Sequence, residues 1–143
     1  MTRGTRRLSV ATVFVVTLAI FATGCTQNEA AWDTAVLINQ SRHASGVRDV
    51  HIDDTLVAKA QAWAEHMAAT GTVSHSSLTQ GVGDDWSVLA ENVGWARSVE
   101  EMHSLFLDSA AHRANMLNGA YDRVGVGVAI VDGRFYTAQV YAG

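Results

Sequence analysis

The sequence predicts a single α+β domain preceded by a targeting segment. Helical apolar spacing recurs in the first two thirds of the chain, whereas the carboxyl end alternates in the manner of a β-hairpin. The chain has 143 residues, of which 48% are hydrophobic and 17% charged, which suits one packed core and excludes a disordered protein. Its formal net charge is −4 and it has no run of basic residues, so nucleic acid is not an expected partner.

Residues 1–24 have the anatomy of a signal peptide. Three arginines precede the apolar stretch Leu8–Phe21, and small residues then lead to Cys25. The apolar stretch is 14 residues long, fewer than the ~20 that a membrane-spanning helix needs. A permanent transmembrane helix is therefore the weaker interpretation.

Cys25 is the only cysteine, so no intramolecular disulfide can form. Small residues followed by cysteine at the end of an apolar stretch resemble a bacterial lipobox, although Ala22 stands where leucine is usual. We expect cleavage before Cys25 and membrane attachment through its lipidated thiol. Residues 25–30 would then be a short tether and residues 31–143 the domain. A secreted protein with an unmodified thiol is the alternative.

The first two helices are predicted from apolar spacing and from their terminal residues. The first starts at about Ala31 and stops before Gly46. The second starts at a capping aspartate, Asp53 or Asp54, and ends before Gly71, which suits the left-handed position after a helix. The residues that share a face are Trp32, Ala35, Val36 and Asn39 in the first helix and Leu56, Ala60, Trp63, Ala64 and Met67 in the second.

A long loop rich in serine and glycine, Thr72–Asp85, follows the second helix. Loops of this length in compact domains are more often functional than idle. The third helix opens at Ser98, where Glu101 completes a capping box, and a short fourth helix is expected over His112–Leu117. The residues expected to point inward from the third helix are Met102, Leu105 and Phe106.

The carboxyl end predicts two antiparallel strands. Val124–Ile130 alternates large and small residues, Asp132-Gly133 suits a two-residue turn of type I′, and Phe135–Ala142 returns as the partner strand. Because an isolated hairpin is only marginally stable, we expect a third strand within Val88–Trp95. Helices and a small antiparallel sheet around one core make an α+β domain.

Three residues are candidates for a chemical site: His75 in the long loop, Glu91 in the expected third strand, and His112 in the short helix. Two imidazoles and a carboxylate are ligand types of a catalytic zinc site with an open fourth position. Spacings of 16 and 21 residues do not by themselves distinguish such a site from solvated loop histidines and a capping glutamate. The histidines interpreted as surface or helix-flank residues are His43, His51 and His103.

Eight short motifs follow one another between about Ala31 and Gly143. They are Leu37-Ile-Asn-Gln-Ser-Arg42, Leu56-x-x-x-Ala60, Ala64-x-x-Met67, Ser74-His-Ser76, Glu91-Asn-Val-Gly94, His112-Arg-Ala-Asn-Met-Leu117, Val124-Gly-Val-Gly-Val-Ala129 and Tyr136-Thr-x-Gln-Val140. This succession resembles the CAP superfamily of cysteine-rich secretory, antigen 5 and pathogenesis-related proteins, in its short bacterial form. The resemblance implies an α-β-α sandwich, with a small antiparallel sheet between helices, and a cleft that carries two histidines and two acidic residues.

Carried over by position, His75, Glu91 and His112 match three of those four cleft residues. The fourth, a glutamate in the family, falls at Ser109, with Asp108 as the neighbouring carboxylate. The resemblance therefore implies a two-histidine site that can still hold Zn²⁺, as it does in some members. It does not select one reaction, because members are linked to several.

We expect an extracytoplasmic, lipid-anchored CAP domain that binds a lipid or a cell-envelope component at the cleft of His75, Glu91 and His112. The alternative is a metal-dependent hydrolase of peptides or cell-wall fragments. In that case His75 and His112 would hold Zn²⁺, and Glu91 would be the third ligand or the general base. A third interpretation makes the cleft purely structural, with its side chains joining loops through hydrogen bonds.

Overall fold

The structure, a computed structural model, describes residues 17–143, with side chains from residue 26 onward. Four helices and four strands lie in this part of the chain. Their bounds are α1 Thr17–Ala44, β1 His51–Ile52, α2 Asp54–Thr70, β2 Leu89–Ala96, α3 Val99–Asp108, α4 Ala110–Met116, β3 Arg123–Val131 and β4 Arg134–Ala142.

The amino end of the described chain is helical. Residues 1–16, which make up most of the predicted signal peptide, lie outside the described residues, as does the side chain of Cys25. Helix α1 runs through residues 25–30, the short tether of the prediction, and Ala30 is the first buried side chain from residue 26 onward. Within residues 17–143, no helix is both long enough and apolar enough to cross a membrane.

The strands form one sheet in the order β1-β3-β4-β2. Strands β3 and β4 make the predicted hairpin, and its turn residues Asp132 and Gly133 have φ angles of 50° and 72°, as type I′ requires. Strand β2 is the predicted third strand and pairs antiparallel with β4 along its whole length. The sequence did not predict β1, which pairs parallel with β3 and makes the sheet mixed. Two residues are too few to show an alternating pattern.

Helices cover both faces of this sheet. Helix α2 packs on one face, where its buried residues Leu56, Ala60 and Met67 join a core cluster with Tyr136 and Ala138 of β4. Helices α1, α3 and α4 pack on the other face around a second cluster. The members of that second cluster are Ala30, Ala35, Ile38, Val50, Ala90, Ala96, Val99, Met102, Phe106, Met116, Tyr121, Val124, Val126, Val128 and Tyr141. The α-β-α sandwich is therefore confirmed.

The helix ends follow the predicted chemistry. The side chain of Asp53 accepts a hydrogen bond from the Leu56 N–H at 3.0 Å, and Gly71 lies after α2 with a φ of 65°. Ser98 accepts from the Glu101 N–H at 3.1 Å, and the Glu101 carboxylate accepts from the Arg97 N–H at 2.7 Å. Caps are local interactions, which is why a local sequence pattern predicts them.

The inward faces of two helices differ from the expectation. Of the α1 residues predicted to share a face, Ala35 is buried and Asn39 is half-buried, but Trp32 and Val36 are exposed. The helix also buries Ala30 and Ile38. In α3, the side chain of Leu105 is 49% exposed rather than buried. Its partners Met102 and Phe106 are buried as predicted, together with His103, which we expected at the surface.

Helix α2 lies directly against the backbone of β3. A Cβ at Gly125 would overlap the backbone of Leu56 and Val57, and a Cβ at Gly127 would overlap that of Ala60 and Gln61. These two positions therefore require glycine because two main chains approach closely. The close packing sets how far α2 stands from the sheet.

Gly127→Ala is expected to lower the free energy of unfolding by at least about 2 kcal/mol, because α2 must move away from β3 to admit one methyl group. Urea unfolding of the full chain measures this. Gly119→Ala is the matched control, since a Cβ there meets only Val47 Cγ1 at 4.0 Å. Equal unfolding free energies for the two variants would contradict the packing argument.

His103 connects α3 to α1. Its Nε2 atom lies 2.8 Å from the Ser41 hydroxyl, and within the described chain its buried Nδ1 atom has no hydrogen-bond partner. Burial lowers the pKa of His103 from its ordinary value of 6.5. The folded protein therefore favours the neutral imidazole.

The unfolding free energy is expected to fall as the pH is lowered from about 7.5 to about 5. The folded-state pKa of His103 lies below the unfolded value, so the unfolded chain binds more protons in this range and stability rises with pH. His103→Gln, which can keep the Ser41 contact, should flatten this profile in urea titrations at several pH values. Gln40→Ala, at an exposed residue of α1 that does not titrate, should leave the profile as it is. A His103→Gln profile as steep as that of the wild type would refute the assignment.

Candidate functional site

The carboxylate of Glu91 is the centre of the candidate site. Strand β2 carries it, and only 2% of its side chain is exposed. Oε1 accepts a hydrogen bond from the Ser76 N–H at 2.9 Å, and Oε2 accepts from the Ser76 hydroxyl at 2.6 Å. The His75 Nδ1 atom lies 2.8 Å from Oε1. Both oxygens of this buried acid therefore have donors, which offset the loss of water.

The imidazole of His75 bonds to Glu91 through Nδ1, and most of the side chain is exposed. Because an ionised carboxylate only accepts hydrogen bonds, the Nδ1 atom facing Glu91 carries a proton. In the neutral ring the lone pair is then on Nε2. The side chain is 64% exposed, so this nitrogen is available to a ligand.

Helix α2 holds the loop that carries His75. The Lys59 ammonium donates to the carbonyls of Ser77 at 2.9 Å and Gln80 at 2.8 Å, and the Trp63 indole N–H donates to the Ser74 carbonyl at 2.7 Å. Burial lowers the pKa of Lys59, and the negative charge of Glu91 opposes this change. These bonds place the loop over β2.

The second half of the site lies on the other side of β2. The Asn92 side chain donates to the His112 carbonyl at 3.1 Å and to Gln139 Oε1 at 3.1 Å. Asn115 of α4 donates to Asn92 Oδ1 at 2.9 Å. Because successive residues of a strand point to opposite faces, Glu91 binds the loop on one face of β2 and Asn92 binds α4 on the other.

The His112 ring packs on Phe106, with the ring centroids 4.8 Å apart. Burial lowers the pKa of His112, and the nearby charge of His75 lowers it further. This coupling places the two predicted histidines in one electrostatic environment at the edge of β2. At neutral pH the His112 imidazole is therefore uncharged and can accept a hydrogen bond from a ligand.

The structure joins His75 to Glu91 by a hydrogen bond, and it attaches His112 to the same strand through the bond between its carbonyl and Asn92. Asp108 takes part in neither contact. Asp108 is exposed at the end of α3 and has no hydrogen bond or ion pair within the described residues. Both Glu91 oxygens are engaged by Ser76 and His75, and among residues 17–143 no group of three or more His, Cys, Asp or Glu side chains could hold a metal ion. This donor set does not fit a three-ligand zinc site, so we derive no step through zinc.

Several residues of the site were not predicted as such. Ser76 supplies two of the bonds to Glu91, and its position beside His75 was the only signal. Asn92 and Asn115 belong to the motifs Glu91-Asn-Val-Gly94 and His112-Arg-Ala-Asn-Met-Leu117, but their roles in the hydrogen-bond network become visible only in the fold. No sequence signal identified Lys59.

The chain is similar to known proteins of one family. The profile of the Cysteine-rich secretory protein family, CAP, matches residues 36–141. The chain is 29% identical over 112 residues to the uncharacterized protein YkwD of Bacillus subtilis, an alignment that covers 72% of this chain and 43% of that protein. It thus spans less than half the length of this relative.

Two solved bacterial structures have a similar fold. An outer surface protein from Borrelia burgdorferi superposes with a TM-score of 0.71 at 17% identity, over 80% of this chain and 92% of that one. An extracellular protein containing an SCP domain from Bacillus anthracis superposes with a TM-score of 0.70 at 22% identity, over 91% of this chain and 45% of that one. At these identities the similarity shows the fold alone.

Ser76→Ala is expected to lower the free energy of unfolding by about 1–3 kcal/mol, because a buried Glu91 oxygen loses its donor. His75→Ala should cost at most about 0.5 kcal/mol, since the imidazole is largely exposed. Thermal and urea unfolding of the full chain measure both. Ser74→Ala, whose hydroxyl makes no hydrogen bond within the described chain, is the control. A cost for His75→Ala equal to that of Ser76→Ala would favour the purely structural interpretation.

Proposed function

We propose that this chain, which belongs to the Cysteine-rich secretory protein (CAP) family, is an extracytoplasmic, membrane-anchored protein that binds a cell-envelope component or lipid at the cleft of His75, Glu91 and His112. The observation that carries the proposal is the buried Glu91 carboxylate, which orients an exposed imidazole. An oriented and accessible hydrogen-bonding group is what a recognition site needs.

The proposed extracytoplasmic location is supported by the amino-terminal sequence and by the descriptions of two proteins of similar fold. A basic and then apolar leader ends at Cys25, the expected site of lipidation. Two proteins of similar fold are described as an outer surface protein and as an extracellular protein. Both features support a domain on the outer side of a membrane.

A metal-dependent hydrolase is the less supported alternative. In its favour, the neutral His112 and the Glu91-oriented His75 are the forms of histidine that bind Zn²⁺. Against it, Glu91 would have to give up its bonds to Ser76 before it could act as a ligand or as a base. The bonding of Glu91 therefore favours a role in binding.

The test measures the fraction of protein that a washed bacterial envelope fraction retains, for the parent and for its histidine variants. All of these proteins carry Cys25→Ser, which removes the proposed anchor. His75→Ala/His112→Ala should lower the retained fraction at least about fivefold, since each lost hydrogen bond is worth about 1 kcal/mol. His43→Ala/His51→Ala replaces two exposed histidines of α1 and β1 and should bind as the parent does.

The same proteins separate the two functions by zinc calorimetry. Stoichiometric Zn²⁺ binding that the His75→Ala/His112→Ala variant loses, together with unchanged envelope retention, would overturn the binding proposal in favour of the hydrolase. Retention that depends on the two histidines without any zinc uptake is the expected result.

A further inference from the structure

Lys59 is the only lysine of the chain, and it lies half-buried on helix α2. Its ammonium donates to the carbonyls of Ser77 at 2.9 Å and Gln80 at 2.8 Å, and it makes no ion pair among the described residues. The negative charge that acts on it belongs to Glu91, whose oxygens are bonded to the loop instead. Burial lowers the pKa of this ammonium, so a counter-ion in direct contact would stabilise its charged form.

A cavity of about 380 Å³ lies beside this lysine, between the outer face of α2 and the long loop, and is called the Lys59 cavity below. Ala58, Ala62 and Trp63 line it from the helix, and small or polar residues line it from the loop. It is open to solvent, since Ala58, Ala62 and Ser77 are exposed. Its volume is in the range of about 300–1,000 Å³ that small-molecule sites occupy. Of the described residues that line it, Lys59 is the only charged one.

Three hydrogen-bonding groups at this cavity have no partner within the described chain. An ammonium has three N–H groups, and Lys59 uses two of them. The Ser77 hydroxyl and the Gln80 side-chain amide make no hydrogen bond among the described residues. All three residues line the same cavity, and the carbonyls of Ser77 and Gln80 both contact the ammonium. The free groups therefore lie close together.

These groups fit an anion better than a cation. Each of them can donate a hydrogen bond, and a cationic ligand would meet the charge of Lys59 with no carboxylate on the wall to offset it. One positive charge, which Glu91 already offsets in part, matches a single negative charge better than the charge of about −2 on a phosphate monoester. The helix side of the cavity, formed by Ala58, Ala62 and Trp63, offers apolar surface to the rest of the ligand.

We propose that the Lys59 cavity binds a small monocarboxylate, whose carboxylate accepts hydrogen bonds from the Lys59 ammonium and from Ser77 or Gln80. Both oxygens of a carboxylate accept, and bonds between charged partners are about twice as strong as neutral ones. A sugar acid and a short fatty acid share this chemistry. The cavity is separate from the proposed cleft, because neither His75 nor His112 lines it, and the inference therefore goes beyond the proposed function.

The test uses the full chain labelled with ¹³C at the lysine Cε, which gives one resonance because Lys59 is the only lysine. Glucuronate and hexanoate are titrated at constant ionic strength, each beside its neutral counterpart, glucose or 1-hexanol. At least one carboxylate should shift the resonance saturably, and its neutral counterpart should bind at least about tenfold more weakly because the charge-assisted bond is absent. The carboxylate that binds identifies the source as a sugar acid or a fatty acid. No saturable shift from either carboxylate, or equal binding by the neutral counterpart, overturns the proposal.

Two variants of the loop locate the binding. Ser77→Ala/Gln80→Ala removes both uncharged donors and keeps the backbone carbonyls that hold Lys59. It should weaken carboxylate binding at least about fivefold. Thr79→Ala, at an exposed loop residue that does not line the cavity, is the matched control and should bind as the parent does. Thermal unfolding checks that both variants fold, and parental affinity in a folded Ser77→Ala/Gln80→Ala variant would refute the assignment.

Carboxylate binding can be separated from the envelope test. His75→Ala/His112→Ala should keep the carboxylate affinity of the parent, because neither histidine lines the Lys59 cavity. Loss of binding in that variant would place the carboxylate at the cleft and overturn the proposal of a separate site. Carboxylate binding that needs Ser77 and Gln80 supports the Lys59 cavity whether or not envelope retention depends on the two histidines.

Discussion

The irregular segments on one face of the sheet depend on the buried guanidinium of Arg42. This α1 side chain is fully buried, and it donates to the carbonyls of Arg48 at 2.7 Å, Met116 at 2.8 Å, Asn118 at 3.0 Å and Tyr121 at 3.0 Å. Burial lowers the pKa of Arg42 because the charge has left water, and the four carbonyl dipoles offset that cost. One residue thereby joins α1 to the approach to β1, to the end of α4 and to the start of β3. It adds to the bonds of Asn92 and Asn115 that hold α4 and its His112 against β2.

On the other face of the sheet, the short distance between α2 and β3 is equally important for the candidate site. Because Gly125 and Gly127 have no side chains, the α2 backbone packs directly against β3. From this position, the Lys59 and Trp63 side chains of α2 donate hydrogen bonds to carbonyls of the long loop. The loop in turn places Ser76 and His75 beside Glu91. The candidate site is thus assembled from both layers of the sandwich, and β2 is the strand at which they meet. A hydrogen-bonded carboxylate and an exposed imidazole lie side by side there.

Much of the fold was predictable because it depends on short-range interactions. The cap at Asp53, the left-handed Gly71, the capping box at Ser98 and the Asp132-Gly133 turn are each determined within a few residues. In the candidate site, only three of the ionisable residues could be predicted from the sequence. His75, Glu91 and His112 stood out by residue type and by family resemblance, whereas Lys59 looks like any lysine on a helix until the loop folds over it.

By itself, the sequence determined the elements, their ends, the class of fold and the residues worth examining, because periodicity and capping act within a few residues along the chain. Only the tertiary structure decided which side of each helix is buried. Periodicity predicted an inward Leu105 and a surface His103, yet the position of α1 exposes the first and buries the second beside Ser41. It also decided that β1 pairs with β3 and that the Ser76 N–H and hydroxyl bind the Glu91 oxygens. These features depend on contacts between residues far apart in sequence, whose geometry no local pattern contains.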